Sequence, residues 1–567
     1  MMNGTTAGMN ATDNASNIGA IRWIWRTSNH KAYLVALLAL SQMLISLIGV
    51  GMAWLLKELI DYAVSRNTRG FVIVGGSLIG IIIVQAAAQA VNRYAGELAR
   101  ATLENLYKKR LLDVVVTGNY ERVSAIHSGE WMNRLTNDTQ VVANGIAEIL
   151  PGLLSMLTKL VGAAVLLAFM LPELTVLLIV GGIAMIGASY LFRKAMKMLH
   201  KKIQEADGRF RVLVTECLSG LIVIRAFSRE AHVLADAGKA MDEHKIARMK
   251  RNRFWNVCNI GFSLAINGAY VLGALWCGWG ILRGALSYGT FVAVIQLVSQ
   301  IQAPMANISS YVPRLYAMTA SAERLMEIES TCKAGVPTEA HDGRIHDFDA
   351  LKLENVSFTY GDDGSESRRT VLNRFNLTIP RGSCTALVGP SGAGKSTVLK
   401  LLMGLYQPEN GTCMAIRDGR RITLGMSARD LFAYVPQGNC LMSGTIRECV
   451  TFGDEAAMRD ESRIESALRN ACAYDFVMDL PDGIDTKLGE RGSGLSEGQM
   501  QRLAIARALF SGRPVLLLDE CTSSLDGATE RDVLEHLRTL SDTTVVIVTH
   551  RPAALELADQ VVSVAAL

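Results

Sequence analysis

The sequence lacks the patterns of two large classes of protein. Its ten cysteines stand singly, with no pair spaced as Cys-x-x-Cys, so they do not indicate a disulfide framework. The net charge of +4 is small and the basic residues are scattered, so the chain has no electrostatic footprint for nucleic acid. We therefore predict free cysteines, buried as small apolar side chains in a reducing compartment, and no nucleic-acid partner.

Apolar residues, by contrast, are abundant. Half of the 567 residues are hydrophobic and the mean hydropathy is positive, yet 57 basic and 53 acidic residues form an ordinary mixture. A chain of this length is too long for one compact core. We expect two or more domains, with the apolar residues concentrated in a membrane domain.

Six apolar stretches before residue 320 are long enough to cross a bilayer, since about 20 residues at about 1.5 Å each span the hydrocarbon core. The first is not a cleavable signal, because the residues before it lack a basic cluster and the apolar run is too long. We predict an all-α domain of six spans at residues 32–56, 71–91, 150–170, 174–192, 254–282 and 290–311.

The loops between these spans predict the orientation. Two long loops, at about 93–149 and 193–253, contain about twenty basic residues, against about three in the short loops. By the positive-inside rule, the long loops and both termini face the cytoplasm, and we predict a bacterial plasma (inner) membrane protein. Residues 21–26 alternate aromatic and basic side chains and are expected to lie along the membrane interface. The long loops look helical, so the spans should continue beyond the membrane and turn at their far ends.

Polar side chains inside the spans recur at helical spacing. Such faces either line a path for a substrate or supply hydrogen bonds between helices, and both interpretations stay open. Three spans carry such a stripe, and that of the second span comprises Gln85, Gln89 and Asn92. The stripes in the fifth and sixth spans give the candidate path residues Asn256, Asn259, Ser263, Asn267, Gln296, Gln300 and Asn307.

The second half of the chain contains a phosphate-binding loop between a short apolar strand, 384–388, and a predicted helix, 398–405. Its glycines let backbone N–H groups face phosphates, and the helix N-terminus adds the positive end of its dipole. Lys395 would reach the β- and γ-phosphates, and the Ser396 hydroxyl would bind Mg²⁺. The loop residues are Gly389, Pro390, Ser391, Gly392, Ala393, Gly394, Lys395, Ser396 and Thr397.

Two further buried strands end in candidate catalytic residues. The strand 515–518 ends in Asp519 and Glu520, to which we assign Mg²⁺ binding and the general base for an attacking water. The strand 545–549 ends in His550, which could contact the γ-phosphate because ligands gather at such strand ends.

A five-residue segment, Leu495, Ser496, Glu497, Gly498 and Gln499, precedes a predicted helix and resembles the signature of ABC transporters. The resemblance covers the chain, since residues 128–138 and 219–230 resemble the cytoplasmic loops of exporter-type (type IV) membrane domains, which carry coupling helices. It implies that Tyr360 stacks on adenine, that Gln437 is the Q-loop residue near Mg²⁺, and that Ser523 to Asp526 form the D-loop.

The implied architecture is a six-helix transmembrane domain followed by an α/β P-loop ATPase domain. We predict an N-terminal segment at 1–31, a transmembrane domain at 32–320, a linker at 321–350 and an ABC domain at 351–567. The resemblance also implies a second half-transporter, each ATP lying between the glycine loop of one subunit and the signature of the other.

Several functional alternatives stay open. A homodimer is favoured because no catalytic position is degenerate, and a heterodimer is the alternative. Glu497 replaces the usual glycine of the signature, with an effect that the sequence does not decide. An exporter of a small molecule, lipid or peptide is favoured over an exporter-fold importer, as in siderophore uptake, or an ATP-gated regulatory membrane protein.

Overall fold

Six long helical stretches occupy the first part of the chain in the computed structural model, which describes residues 19–333, 347–361, 369–438, 441–489, 492–540 and 542–565. They are α1 (Gly19–Val64), α2 (Thr68–Thr117), α4 (Ser128–Met170), α5 (Pro172–Ser219), α7 (Glu230–Leu282) and α8 (Tyr288–Lys333). Two short helices, α3 (Tyr120–Ala125) and α6 (Leu221–Ala226), follow α2 and α5. The helices therefore do continue past the apolar stretches, with a turn at each far end, as predicted.

Four of these helices are, over their described residues, long and apolar enough to span a bilayer, namely α1, α2, α4 and α7. In α5 and α8 the apolar described segments are shorter, Pro172–Ala184 and Tyr288–Ile301. The predicted interfacial segment 21–26 forms the beginning of α1. There Trp23 Nε1 donates to Glu329 Oε2 of α8 at 3.0 Å.

Chain contacts divide the protein into two units. The first comprises Met1–Asp113 and Ser128–Glu329, and the second comprises Val114–His127 and Ser330–Leu567. The short helix α3 thus groups with the second unit. The predicted linker 321–350 begins inside α8 and continues into residues outside the description, so its boundaries stay a prediction.

Apolar and charged contacts both hold the first unit together. One core cluster includes Val50 of α1, Leu167 of α4, Leu174 of α5 and Leu297 of α8, all buried. A π-helical turn in α4, Arg134–Asp138, ends in a fully buried Asp138. Its carboxylate accepts hydrogen bonds from Ser321 at 2.9 Å and from Arg324 of α8 at 3.0 Å, which pairs the buried charge.

The second unit contains two main sheets. The strands β2 (Arg369–Pro380), β1 (Ala350–Tyr360), β4 (Asn410–Arg417) and β5 (Arg420–Thr423) form an antiparallel sheet in that order. A parallel sheet has the order β11 (Gln560–Ser563), β3 (Cys384–Val388), β10 (Thr544–Val548), β9 (Val515–Asp519) and β6 (Phe432–Val435). A two-stranded ribbon pairs β7 (Gly444–Thr445) with β8 (Lys487–Leu488).

Seven α-helices among the described residues lie between and after these strands. They are α9 (Lys395–Leu402), α10 (Ile446–Thr451), α11 (Glu461–Asn470), α12 (Tyr474–Met478), α13 (Glu497–Phe510), α14 (Gly527–Arg538) and α15 (Pro552–Glu556). Strands β9 and β10 are buried along their whole length, as expected for parallel strands covered on both faces. Their carboxyl ends therefore present Asp519, Glu520 and His550 at one edge.

Candidate nucleotide site

The glycine loop between β3 and α9 depends on positive backbone angles. Gly392 and Gly394 have φ of +79° and +100°, which side chains other than glycine rarely adopt. A Cβ atom on Gly394 would also lie 2.5 Å from Val371 Cγ1. The loop therefore needs glycine there, and it leads directly into the N-terminus of α9, a binding site for phosphate.

Lys395 is the first residue of α9 and is 6% exposed. Its ammonium donates to the carbonyl oxygens of Gly389 at 2.7 Å and Pro390 at 3.0 Å. These contacts hold the charge over the loop, where phosphates would lie.

Asp519, at the end of β9, joins three elements. Ser396 Oγ donates to its Oδ1 at 3.0 Å, and Tyr434 of β6 donates to its Oδ2 at 3.2 Å. Burial raises the pKa of this carboxyl, while the two hydrogen bonds oppose that rise. Ser396 and Asp519 are thus in contact, and their oxygen atoms are of the type that Mg²⁺ prefers, while their binding of Mg²⁺ stays a prediction.

Glu520 follows with a left-handed backbone, φ of +49°, which is uncommon for a residue with a side chain. Gln437 Nε2 donates to Glu520 Oε2 at 2.8 Å, so the predicted Q-loop and general base lie together. The Glu520 N–H donates to the Val548 carbonyl at 3.1 Å, which fixes this backbone against β10. Such strain is found where the surrounding structure holds a functional group in place.

Tyr360 ends β1 beside the loop. Its hydroxyl lies 2.9 Å from Thr397 Oγ1, and its ring packs edge-on against Phe358 and Tyr406. Tyr406 also contacts Tyr120 of α3, with ring centroids 5.8 Å apart. The residue predicted to stack on adenine is therefore linked by aromatic contacts to the first short helix.

The signature segment lies in a second depression. Ser496 caps α13, accepting from the Gln499 N–H at 3.3 Å, while Gln499 Oε1 accepts from the Ser496 N–H at 2.9 Å. A cavity of about 380 Å³ brings the signature together with Ser524 and Asp526 of the D-loop. Ser496, Glu497, Gly498 and Gln499 all line it, whereas Leu495 packs against the domain core.

Comparisons with known proteins agree with this geometry. Residues 35–305 match the family described as ABC transporter transmembrane region, and residues 372–523 match that described as ABC transporter. A Bacillus subtilis protein, described as an uncharacterized ABC transporter ATP-binding protein, is 30% identical over 496 residues, covering 86% of this chain and 84% of that protein. The chain belongs to the ABC transporter family.

Two further similarities extend the comparison. The human mitochondrial potassium channel ATP-binding subunit is 32% identical over 439 residues, covering 75% of this chain and 57% of that protein. A solved structure of a bacterial Atm1-family ABC exporter with ATP bound has a TM-score of 0.77 at 23% identity, covering 94% of this chain and 95% of that one. The latter shows that the fold is that of an ABC exporter.

This ABC transporter chain is therefore a membrane-embedded half-transporter, with one helical transmembrane region and one ABC domain that binds ATP. The family assignment makes it an ATPase whose hydrolysis is coupled to transport. A half-transporter architecture implies dimerisation.

His550 and its neighbour have different environments in this ABC domain. His550 follows β10 and is exposed, and its contact with a γ-phosphate stays a prediction. Arg551, in contrast, donates to the carbonyl oxygen of Leu525 at 2.9 Å and to Glu530 at 2.9 Å. It also donates to the Ser523 carbonyl oxygen, which ties the segment after His550 to the D-loop.

Sequence reasoning missed three residues that support the site, namely Tyr434, Gln501 and Arg551. Gln501 Nε2 donates to Ser523 Oγ at 3.0 Å and lies 3.2 Å from Ser524 Oγ, joining α13 to the D-loop. The sequence indicated two of them only weakly, by their closeness to predicted site residues. Tyr434 lies three residues before Gln437, and Arg551 directly follows His550.

The candidate path residues of the transporter fall into two groups. On α7, Asn256, Asn259, Ser263 and Asn267 are exposed in the single chain, and Asn267 Nδ2 donates to Ser263 Oγ at 3.1 Å. On α8, Gln300 Nε2 donates to the Gly49 carbonyl oxygen at 2.8 Å, which is an interhelical bond. The Oε1 atoms of Gln296 and Gln300 are buried without a partner among the described residues. The side chain of Asn307 lies outside the description, and a path along these residues stays a prediction.

The prediction of buried cysteines is confirmed for five of the nine that the structure describes, and the other four are half-buried. These five are Cys277, Cys332, Cys413, Cys449 and Cys521, and none of the nine forms a disulfide bond with another described cysteine. Cys440 lies outside the described residues.

Proposed function

We propose that two copies of this chain form a homodimeric exporter in a bacterial plasma membrane, with both termini and both ABC domains in the cytoplasm. Each ATP would lie between the glycine loop of one copy and the signature of the other. Lys395, Ser396, Ser496, Glu520 and His550 all occur in one chain, which supports two complete sites in a homodimer. Closure on ATP and reopening after hydrolysis would move a small molecule, lipid or peptide outward by alternating access.

The main observation in support of this function is that two hydrogen-bonded pairs lie beside the glycine loop, namely Ser396 with Asp519 and Gln437 with Glu520. Ser396, Asp519 and the Gln437 amide oxygen would hold Mg²⁺, which neutralises developing phosphate charge when bound.

The residues of the chain have separate roles in hydrolysis. Glu520 would accept a proton from the water that attacks the γ-phosphorus in line, and the hydrogen bond from Gln437 would orient the Glu520 carboxylate. Lys395 would stabilise the negative charge on the γ-phosphate oxygens. The Glu520 backbone, held against β10, keeps the base at one position.

Replacing the base tests this assignment. Glu520→Gln should retain ATP binding while phosphate release falls at least about 100-fold, because an amide cannot accept the proton. Glu535→Gln, an exposed position on α14 of the same domain, is the matched control and should hydrolyse ATP normally. Unchanged hydrolysis in Glu520→Gln would remove Glu520 from this role.

A second candidate function is ATP-gated regulation of passive flux. It is favoured by the 32% identity to the human mitochondrial potassium channel ATP-binding subunit. Proteoliposomes separate the two functions, because a pump accumulates solute against its gradient only with hydrolysable ATP. Flux down the gradient alone would support the regulator, and accumulation in the opposite direction would support an importer.

A further inference from the structure

A cavity of about 290 Å³ lies among α1, α2, α4 and α8 in the first unit. A neighbouring cavity, also about 290 Å³, shares Gln42, Asn92 and Arg93 with it, so the two form one polar region. We call this region the helix cavity. It is separate from the exposed polar face of α7, which carries four of the seven candidate path residues predicted from the sequence.

The charges around the helix cavity are unbalanced. Arg93, Arg100 and Arg314 line it, and Glu148 is the carboxylate among the lining residues. Arg100 Nη2 and Arg314 Nη1 pair with the two oxygens of Glu148 at 3.0 and 2.9 Å. The lining residues therefore carry a net charge of +2, because one carboxylate neutralises only one of the three arginines.

Two of these arginines keep unused donors. Arg93 makes no hydrogen bond or ion pair with any residue that the structure describes. Arg100 also contacts the exposed Glu97 at 3.3 Å, yet its buried Nε has no partner within the described ranges. The buried Nε of Arg100 costs free energy while it lacks a partner, and the exposed Arg93 has free donors, so a ligand that accepts hydrogen bonds from both would be stabilised.

Neutral polar groups complete the lining. Gln42 of α1, Gln89 and Asn92 of α2 and Tyr311 of α8 offer amide and hydroxyl groups beside the arginines. Asn92 Oδ1 accepts from Ser41 Oγ at 2.6 Å, which orients that amide. Convergent polar groups in a concave site are typical of ligand recognition.

The helix cavity lies where the apolar stretch of α2 ends, because Arg93 comes two residues after the predicted span 71–91. By the positive-inside rule this is the cytoplasmic end. Surroundings less polar than bulk water strengthen charge interactions there. A ligand from the cytoplasm could enter at this end.

We propose that the helix cavity binds an organic anion with two or more negative charges. Calling that anion the transported substrate rests on the proposed function, whereas the binding itself does not. The recognised chemistry is negative charge with hydrogen-bond acceptors, supplied by a water-soluble compound or by the phosphate headgroup of an anionic lipid.

The test is equilibrium binding to the full chain in phosphatidylcholine nanodiscs without nucleotide. Naphthalene mono-, di- and trisulfonates are the probes, since they share one fluorescent ring and differ in charge, and anisotropy reports their Kd. Kd should fall at least about tenfold from mono- to disulfonate, and this preference should weaken as salt rises.

Arg93→Gln should raise the disulfonate Kd about tenfold, the change expected for losing one charged contact. Arg69→Gln is the matched control, because it is exposed on the same helix about 36 Å away along the axis. Arg93 is exposed and unpaired among the described residues, so the variant should fold, which size-exclusion elution and thermal unfolding check.

A parallel arm distinguishes the two sources of the anion. If a lipid headgroup occupies the cavity, native mass spectrometry should show phosphatidylglycerol retained by the parent chain and lost from Arg93→Gln, with weak disulfonate binding. If a soluble anion does, the disulfonate binds without any Arg93-dependent lipid. The proposal would be overturned if the Kd did not depend on probe charge and lipid retention did not depend on Arg93. Equal effects of Arg93→Gln and Arg69→Gln would also overturn it. The binding assay contains no ATP, so a negative result in it does not contradict the proposed transport function. A negative transport assay likewise does not contradict anion binding in the helix cavity.

Discussion

Asp519 shows how single side chains set the chemistry of the nucleotide site. The carboxylate is 2% exposed and accepts hydrogen bonds from Ser396 and Tyr434. Burial disfavours the charged form, and the hydrogen bonds favour it. We therefore propose that Tyr434 is a positioning residue, which acts through Asp519.

Removing the Tyr434 hydroxyl tests that role. Tyr434→Phe should raise the Mg²⁺ concentration for half-maximal ATPase activity up to about tenfold, since a hydrogen bond to a charged group contributes about 1.5 kcal/mol. The hydrogen bond from Tyr434 lowers the pKa of Asp519, so its loss should raise that pKa. As the solution is acidified, the ATPase activity of Tyr434→Phe should therefore fall at a higher pH than that of the parent chain.

Mg²⁺ titration and a pH profile of ATPase activity measure both effects. Tyr474→Phe is the control, because its ring contacts Arg469, with the guanidinium 3.6 Å from the ring centroid, rather than the nucleotide site. If the two variants behave alike, Tyr434 has no special relation to Asp519.

At the scale of elements, α4 and α8 pack closely because glycines lie between them. A Cβ atom on Gly145 of α4 would lie 2.6 Å from Sδ and 2.9 Å from Cβ of Met318 on α8. The Met318 Cβ cannot swing away as the sulfur can. The same two helices carry the ion pair between the buried Asp138 and the exposed Arg324.

Gly145→Val should therefore destabilise the membrane domain by about 1–3 kcal/mol, because an added side chain forces the helices apart. Gly181→Val on α5 is the matched control, since a Cβ there meets nothing within 4 Å. Thermal unfolding in detergent measures the difference. Equal melting temperatures for the two variants would contradict close packing at Gly145.

For the whole molecule, we propose that the signature and the glycine loop act in different subunits. Lys395→Ala and Ser496→Arg should each abolish ATPase activity in homodimers. A purified heterodimer of these variants keeps one intact composite site, so it should recover up to about half of the parent activity.

Differently tagged copies allow that heterodimer to be isolated, and phosphate release measures its activity. The control is a dimer of two Lys395→Ala chains that carry the two different tags, and it should stay inactive. No recovery in the mixed heterodimer would argue that each chain hydrolyses ATP alone.

The sequence by itself determined the ABC domain chemistry. Strand 384–388, the glycine loop and the pair Asp519 and Glu520 follow from local patterns, and the structure places β3 at the predicted residues. Such features are readable because a phosphate loop needs particular residues at fixed spacing, whatever the rest of the chain does. The six long helices were readable for a similar reason, since a bilayer requires a run of apolar residues.

Only the tertiary structure decided which distant residues meet. Tyr434 and Asp519 are 85 positions apart and Arg100 and Glu148 are 48 apart, so no local pattern joins them. Polar stripes on α2 and α7 look alike in sequence because helical periodicity reports which side chains share a face. It does not report which face meets another helix. The folded chain places Gln89 and Asn92 of the α2 stripe, and no residue of the α7 stripe, in the lining of the helix cavity.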